Sequence, residues 1–151
     1  MTMIIRKADI ERDALAIMDG ARDFVSRMDN TDFMPETDDA FIEAIGRVLS
    51  WENVEVTVAE HDGRIVGGLG MVIGPHLWNP ALTCADELFF WASKDAPKAT
   101  ALRLIKAVKG EMSGRVRMVT FKRLKSSPAK LHDVYRAMGL REVETAYSGV
   151  M

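Results

Sequence analysis

Ala85-Asp-Glu-Leu-Phe-Phe-Trp-Ala-Ser-Lys-Asp-Ala-Pro-Lys-Ala-Thr-Ala-Leu-Arg-Leu-Ile-Lys-Ala-Val108 sets the architecture, because it joins a buried strand to an amphipathic helix through a tight connection. From Glu87 to Ala92 the chain is a nearly unbroken apolar and aromatic run with Glu87 as its one acid, the pattern of a strand covered on both faces. Ser93-Lys-Asp-Ala-Pro97 then supplies a helix start, with Ser93 or Asp95 as N-cap and a proline in the first turn, where its missing N–H costs little. Leu102, Ile105, Val108 and Met112 recur at helical spacing and give one apolar stripe for a sheet. A strand that runs into a free helix N-terminus gathers backbone N–H groups at one spot, and such a spot attracts phosphate. Every strand-to-helix turn of an α/β protein shares this geometry, so its use depends on the rest of the chain.

Upstream, Met3 to Lys7 reads as a first strand, and Ala8-Asp9 opens a helix whose Ala14, Ile17, Met18, Ala21, Phe24, Val25 and Met28 keep the 3.6-residue period. Asp29 to Thr37 is polar and proline-broken, a loop. Thr37 or Asp38 caps a second helix with Phe41, Ile45, Val48 and Leu49 on one face. Val54, Val56 and Val58 alternate with less apolar neighbours as in a half-buried strand, and Asp62-Gly63 between two apolar runs signals a hairpin into Ile65 to Ile73. Gly67, Gly68 and Gly70 inside that second strand suggest a bulge or a close backbone approach. They follow a hairpin rather than open a helix, so they make no dinucleotide fingerprint. The connection Pro75 to Cys84 carries Trp78, which either lines a pocket or covers the core edge. Downstream, Val116 to Phe121 makes a strand, Ser126 or Ser127 with Pro128 starts a helix to about Met138, Gly139 stops it, and Leu140 to Val150 is a final strand. The order is β-α-α-β-β-β-α-β-α-β.

A chain of 151 residues with 48% hydrophobic and 28% charged residues fits one globular domain, residues 1–151. No apolar run reaches the roughly 20 residues of a membrane span, and the first residues lack the layout of a signal peptide, so a cytoplasmic protein is expected. Cys84 is the only cysteine, which excludes an internal disulfide; no Cys/His cluster has zinc spacing and no metal is expected. Cys84 has no nearby base and reads as a small buried thiol rather than a nucleophile. Residues 1–62 carry 6 Lys/Arg against 15 Asp/Glu, and residues 63–151 carry 14 against 7. The acidic half, with Asp29, Asp32, Glu36, Asp38 and Asp39 as a candidate rim, suits a cationic ligand, and the basic half suits an anionic one; unevenly solvated surfaces are the plain alternative.

In this order, and in three local sequences, the chain resembles the GNAT superfamily of N-acetyltransferases over essentially its whole length. Glu60-His-Asp-Gly-Arg-Ile-Val-Gly-Gly68 is similar to the family's second hairpin, Glu87-Leu-Phe-Phe-Trp91 to its central strand, and Tyr135-Arg-Ala-Met-Gly-Leu140 to the ending with a tyrosine four residues before the helix-stopping glycine. The Pro-His-Leu-Trp-Asn-Pro loop looks most like the small GNAT-type proteins of phages and prophages. The resemblance implies an α/β (α+β) fold with a mixed, mostly antiparallel sheet flanked by helices, and acetyl-CoA as cosubstrate. The family's pyrophosphate loop, Gln/Arg-x-x-Gly-x-Gly/Ala, falls on Ala96-Pro-Lys-Ala-Thr-Ala101, where only Ala101 fits. Lys98, Ala99, Thr100 and Ala101 are the implied cofactor contacts, since backbone N–H groups do most of such binding.

Acetyl transfer to an amine needs a base for the amine, donors for the oxyanion and a proton for the thiolate. The resemblance puts Glu87 at the base, its pKa raised by apolar surroundings; an acid at the strand edge, or one that only supports a neighbouring group, is the alternative. It puts backbone N–H groups near Phe90, Trp91 and Ala92 at the oxyanion, and Tyr135 at the general acid, where a packed amphipathic tyrosine is the alternative. Tyr147 is a weaker candidate. Arg115, Arg117, Lys122, Arg123, Lys125 and Lys130 form a basic patch suited to the 3′-phosphate of CoA, with RNA disfavoured for want of a motif. Expected partners are a small-molecule or protein amine and a second copy, with no membrane. The rival reading is a non-catalytic GNAT-like binding or structural module, phage-associated, that has lost the CoA loop.

Overall fold

The structure, a computed structural model, describes residues 2–28 and 34–149. Among them the chain forms β1 (Met3–Lys7), α1 (Ile10–Ser26), α2 (Asp38–Leu49), β2 (Val54–His61), β3 (Arg64–Pro75), β4 (Thr83–Ala92), α3 (Thr100–Met112), β5 (Met118–Thr120) and α4 (Lys130–Ala137). Asp9 caps α1 by accepting the Arg12 N–H at 3.2 Å, and Thr37 caps α2 by accepting the Ala40 N–H at 3.2 Å, each satisfying a donor that the helix cannot. Asp62 and Gly63 both take positive φ, 51° and 75°, the turn that matches the twist of the β2–β3 hairpin.

The strands lie in the order β1-β2-β3-β4-β5; every pair is antiparallel except β4 with β5, which is parallel. Helices cover both faces. Ile17 of α1 and Leu49 of α2 pack with Val56, Val58, Phe89 and Trp91 on one side, while Ile105, Val108 and Met112 of α3 pack with Leu69, Met71 and Ala85 on the other, where α4 adds Leu131 and Tyr135. This is the mixed α/β architecture that the element order implied.

One irregularity shapes β4. Its register with β3 steps from Phe89↔Gly70 to Glu87↔Met71, so Leu88 is an extra residue, a β-bulge. The bulge turns the strand over: Leu88, Phe89 and Trp91 pack toward α1, whereas Ala85 and Phe90 pack toward α3. Glu87, one pleat period from Ala85, therefore belongs to the α3 side. The glycines make room for the rings. A Cβ on Gly68 would lie 2.2 Å from the Trp91 ring and one on Gly20 of α1 2.0 Å from it, so the indole fits between helix and sheet because neither position bears a side chain.

Three expectations need correction. The final strand does not form: Leu140 to Gly149 have no regular structure and Arg141 to Gly149 are exposed, because an extended segment becomes a strand only against a ladder partner. Helix α3 begins later than the capping pattern implies, since Ser93 and Asp95 stay in the connecting loop and the N-cap is Ala99, with no side-chain cap. Trp78, 86% exposed, neither covers the core nor lines the notch described below; His76 Nδ1 accepts the N–H groups of Trp78 and Asn79 at 3.3 and 3.2 Å and holds this tip at the opposite end of the sheet. Asp29 and Asp32 of the acidic rim, and Val150 of the expected strand, lie outside the described residues.

Candidate active site

Strands β4 and β5 pair only from Cys84 to Asp86 against Met118 to Thr120. Beyond that point, among the described residues, β4 runs from Glu87 to Ala92 with no strand on its second edge. Five steps along a strand make an open edge of about 17 Å. A notch results, with β4 as one wall and the chain leaving β5 as the other.

Glu87 sits at its apex. It is 1% exposed, and its Oε2 accepts the Lys122 N–H at 2.9 Å. Burial pushes its pKa up from the usual 4.5 to about 7, against the opposing pull of that N–H and of the Lys122 charge. Tyr135 reaches the same place from α4: its hydroxyl donates to the Lys122 carbonyl at 2.9 Å, and its ring stacks on Phe121 with centroids 5.9 Å apart. Burial, and then the Glu87 charge, raise the phenol pKa, so it keeps its proton at neutral pH. The main chain of one residue thus holds both groups, the Lys122 N–H on the carboxylate and the Lys122 carbonyl, in the next peptide unit, on the phenol. The Lys122 main chain is the part that sequence reading missed, because a backbone contact leaves no mark on residue type. Ser126 Oγ donates to the Arg27 carbonyl at 2.8 Å and ties the β5–α4 loop to the end of α1.

The other expected residues divide. Phe90 packs its ring on the α3 side, the side of Glu87. Trp91 turns its ring to the opposite face and is 3% exposed, so only its backbone borders the open edge. Ala92 ends β4. Lys98 is exposed beside the first turn of α3, where Ala99 and Ala101 contribute backbone alone. The Thr100 side chain is buried, with its hydroxyl 3.8 Å from Met3 Sδ, and is spent on packing. Tyr147 is 93% exposed in the segment after α4. Arg115 is engaged: it grips Glu55 at 2.7 and 3.0 Å, which lowers the Glu55 pKa and removes this side chain from the basic patch as a free anion contact. Cys84 is buried, and burial raises its thiol pKa, as for an inert core cysteine.

The departure of Ala96 to Ala101 from a glycine-rich loop carries no backbone strain. Ala99 has φ −83°, and Asp62 is the only non-glycine residue with positive φ among the described residues. The Thr100 N–H is taken by the Pro97 carbonyl at 2.9 Å, and with no acid in its first turn and no side-chain cap the α3 N-terminus offers an anion the N–H groups that follow, from Ala101 on. Among the described residues no group of His, Cys, Asp or Glu is arranged to hold a metal ion, and no helix is long and apolar enough to cross a membrane.

No family model matches the chain, and no curated protein matches it significantly. Solved structures do match. An aminoglycoside acetyltransferase from an uncultured soil metagenomic sample superposes with a TM-score of 0.72 at 18% identity, over 99% of this chain and 96% of that one. A transcriptional regulator from Bacillus halodurans gives 0.74 at 19% identity, over 99% and 100%. A predicted acetyltransferase from Clostridium acetobutylicum, in a structure with acetyl-CoA, gives 0.69 at 14% identity, over 99% and 96%. The fold of this chain is the one these proteins share. At such identities the likeness fixes the fold, and the chemistry has to be argued from the notch.

Proposed function

We propose that the protein is an N-acetyltransferase that moves an acetyl group from acetyl-CoA to an amine by direct attack. The observation that carries this reading is the meeting of Glu87 and Tyr135 on the main chain of Lys122, one at its N–H and the other at its carbonyl, at the apex of an open strand edge that leads to an uncapped helix N-terminus. That edge is about as long as an extended pantetheine arm, so an anion held at α3 brings its thioester to Glu87. The α3 N–H groups and Lys98 hold the pyrophosphate, and the backbone from Phe90 to Ala92 lies along the arm and supplies donors to the thioester oxygen. Lys122 and Arg123, both exposed, are the cations nearest the second wall.

A carboxylate with a pKa of about 7 is ionised in about half the molecules at neutral pH and is basic enough to take a proton from an ammonium acceptor as the amine attacks. The new C–N bond forms at the thioester carbon, the C–S bond breaks, and the departing thiolate takes the Tyr135 proton; the second proton of the attacking nitrogen then passes to the phenolate, which restores Tyr135, and Glu87 returns its proton to solvent. The products are the amide and free CoA. The acidic side of the molecule, with Glu36, Asp38 and Asp39 exposed, supports a cationic acceptor such as a polyamine or aminosugar. Aminoglycosides, the acceptors named for one matched structure, are of that kind.

Calorimetry with acetyl-CoA tests the reading first, followed by a panel of cationic amines scored by free-thiol release. Micromolar binding and amine-dependent thiol release support it. No binding at millimolar acetyl-CoA overturns it in favour of the non-catalytic module.

A further inference from the structure

We propose that Lys122 is itself an acetyl acceptor: its ε-amine, carried on the residue whose main chain joins Glu87 to Tyr135, takes the acetyl group from acetyl-CoA and thereby regulates the site. The proposal rests on the acetyltransferase reading above. Position carries it. The Lys122 N–H lies 2.9 Å from Glu87 Oε2 and its carbonyl 2.9 Å from the Tyr135 hydroxyl, so the Cα that bears the side chain stands between the base and the acid. From there a flexible four-carbon stem carries a primary amine, the group that the reaction consumes. Lys122 is exposed at the notch, and its ammonium makes no ion pair among the described residues. Its charge nevertheless reaches the buried carboxylate, whose pKa it lowers against the effect of burial. Other amines stand elsewhere: Lys94 and Lys98 lie in the loop before α3, Lys130 opens α4, and Lys7 pairs with Glu55 at 3.3 Å.

The step balances as it does for an outside amine. Glu87 takes one proton from the Lys122 ammonium as the nitrogen attacks, the C–N bond forms at the thioester carbon, the C–S bond breaks, and the thiolate leaves with the Tyr135 proton. The second nitrogen proton restores the phenol and Glu87 releases its own to solvent, so the products are acetylated Lys122, CoA and a proton. Acetylation replaces the ammonium with a neutral amide, and the charge that lowers the Glu87 pKa is gone. Tyr135, from α4, is the other titratable group that bears on Glu87, while α3 and β3 meet this side of β4 with the uncharged Ile105, Val108, Leu69 and Met71. The base is then less ionised at neutral pH. A molecule that meets acetyl-CoA with no amine to receive the group thus turns itself down.

Incubation of the full chain with acetyl-CoA and no amine, followed by peptide mass mapping, tests it. Lys122 should gain an acetyl group about tenfold faster than Lys94, Lys98 or Lys130, and Glu87→Gln should abolish that preference. Two variants read the feedback without acetyl-CoA, through the titration of the Glu87 carboxyl carbon by NMR. Lys122→Gln, a neutral mimic of the product, should raise the Glu87 pKa, and Lys122→Arg, which keeps the charge, should leave it in place. Both changes fall on an exposed side chain and should leave circular dichroism as it is. Acetyl-CoA binding and transfer to an added amine with Lys122 unmodified, or all lysines modified at equal rates, overturns the proposal and leaves the acetyltransferase reading standing. No binding of acetyl-CoA overturns both, and a Glu87 pKa unmoved in Lys122→Gln overturns the feedback.

Discussion

Asp13 and Glu87 are buried to nearly the same degree, 3% and 1% exposed, and their environments drive them in opposite directions. Asp13, near the start of α1, is gripped by Arg6 at 2.7 and 3.1 Å, takes the Asp9 N–H at 2.9 Å and meets Arg12 at 3.2 Å. The Arg6 hydrogen bonds hold its carboxyl well below the usual carboxylate range, while Asp13 first, and then Glu60, keep the Arg6 guanidinium charged. Glu87 has one N–H and no guanidinium, and burial wins. Burial sets the stake and partners set the sign. The first carboxylate is fixed as a charge and welds β1, α1 and β2 together. The second is left near neutrality of preference, able to take up and release a proton.

The largest effect that separates the two is on stability. Asp13→Ala leaves Arg6 facing Glu60 alone in a partly buried site and should cost about 3–5 kcal/mol, a fall in thermal midpoint on the order of 10 °C, with activity per folded molecule unchanged. A loss below about 1 kcal/mol would mean the cluster is as soft as a surface pair, and the comparison would break. Glu87→Gln should instead lower kcat by about 10²- to 10³-fold with the acetyl-CoA dissociation constant unmoved, and should abolish the pH step near 7 in kcat. Retained kcat would demote Glu87 to a structural acid.

The pH dependence of stability should differ in sign. Because the folded pKa of Glu87 is raised, its ionised form is penalised in the folded state; the penalty is absent below about pH 4.5 and full above about pH 7. Glu87→Gln should therefore melt several degrees above the parent at pH 8 and level with it at pH 4. The depressed pKa of Asp13 stabilises above the ordinary carboxylate range and is lost as pH falls through its folded value, so the gap between parent and Asp13→Ala should close in acid. Thermal melts at pH 3, 4, 6 and 8 check both. Tyr135→Phe should reduce kcat by about 10- to 100-fold, with CoA binding kept, since it removes one proton donor and its bond to Lys122 O. Lys98→Ala should weaken acetyl-CoA by only a few fold, and less at high salt, because an exposed cation at a helix N-terminus adds little to the N–H groups.

Much of the frame could be read before any coordinates. The strand at Met3 to Lys7, the helix caps at Asp9 and Thr37, the Asp62-Gly63 turn and the stop at Gly139 are local matters of dihedral preference, capping and alternation, and each stands where the residues put it. Glu87 in the central strand, where Asp86 precedes it, and Tyr135 before a helix-stopping glycine were legible too, as positions. The final strand was not, because alternation in Val143 to Tyr147 states a readiness to pair and says nothing about whether an edge is within reach. The weak loop at Ala96 to Ala101 pointed to an impaired phosphate site, and the backbone there needs no glycine.

The sequence alone determined the helices and the strands up to β5, the order in which they come and the presence of Glu87 in the central strand, since these follow from interactions a few residues apart. Only the tertiary structure decided that Leu88 bulges and turns Phe89 and Trp91 away from Glu87, that Gly20 and Gly68 open a slot for Trp91, and that the main chain of Lys122 joins a strand carboxylate to a helix phenol. Those are contacts between residues 13 to 71 positions apart along the chain, and the preference of no single residue encodes them.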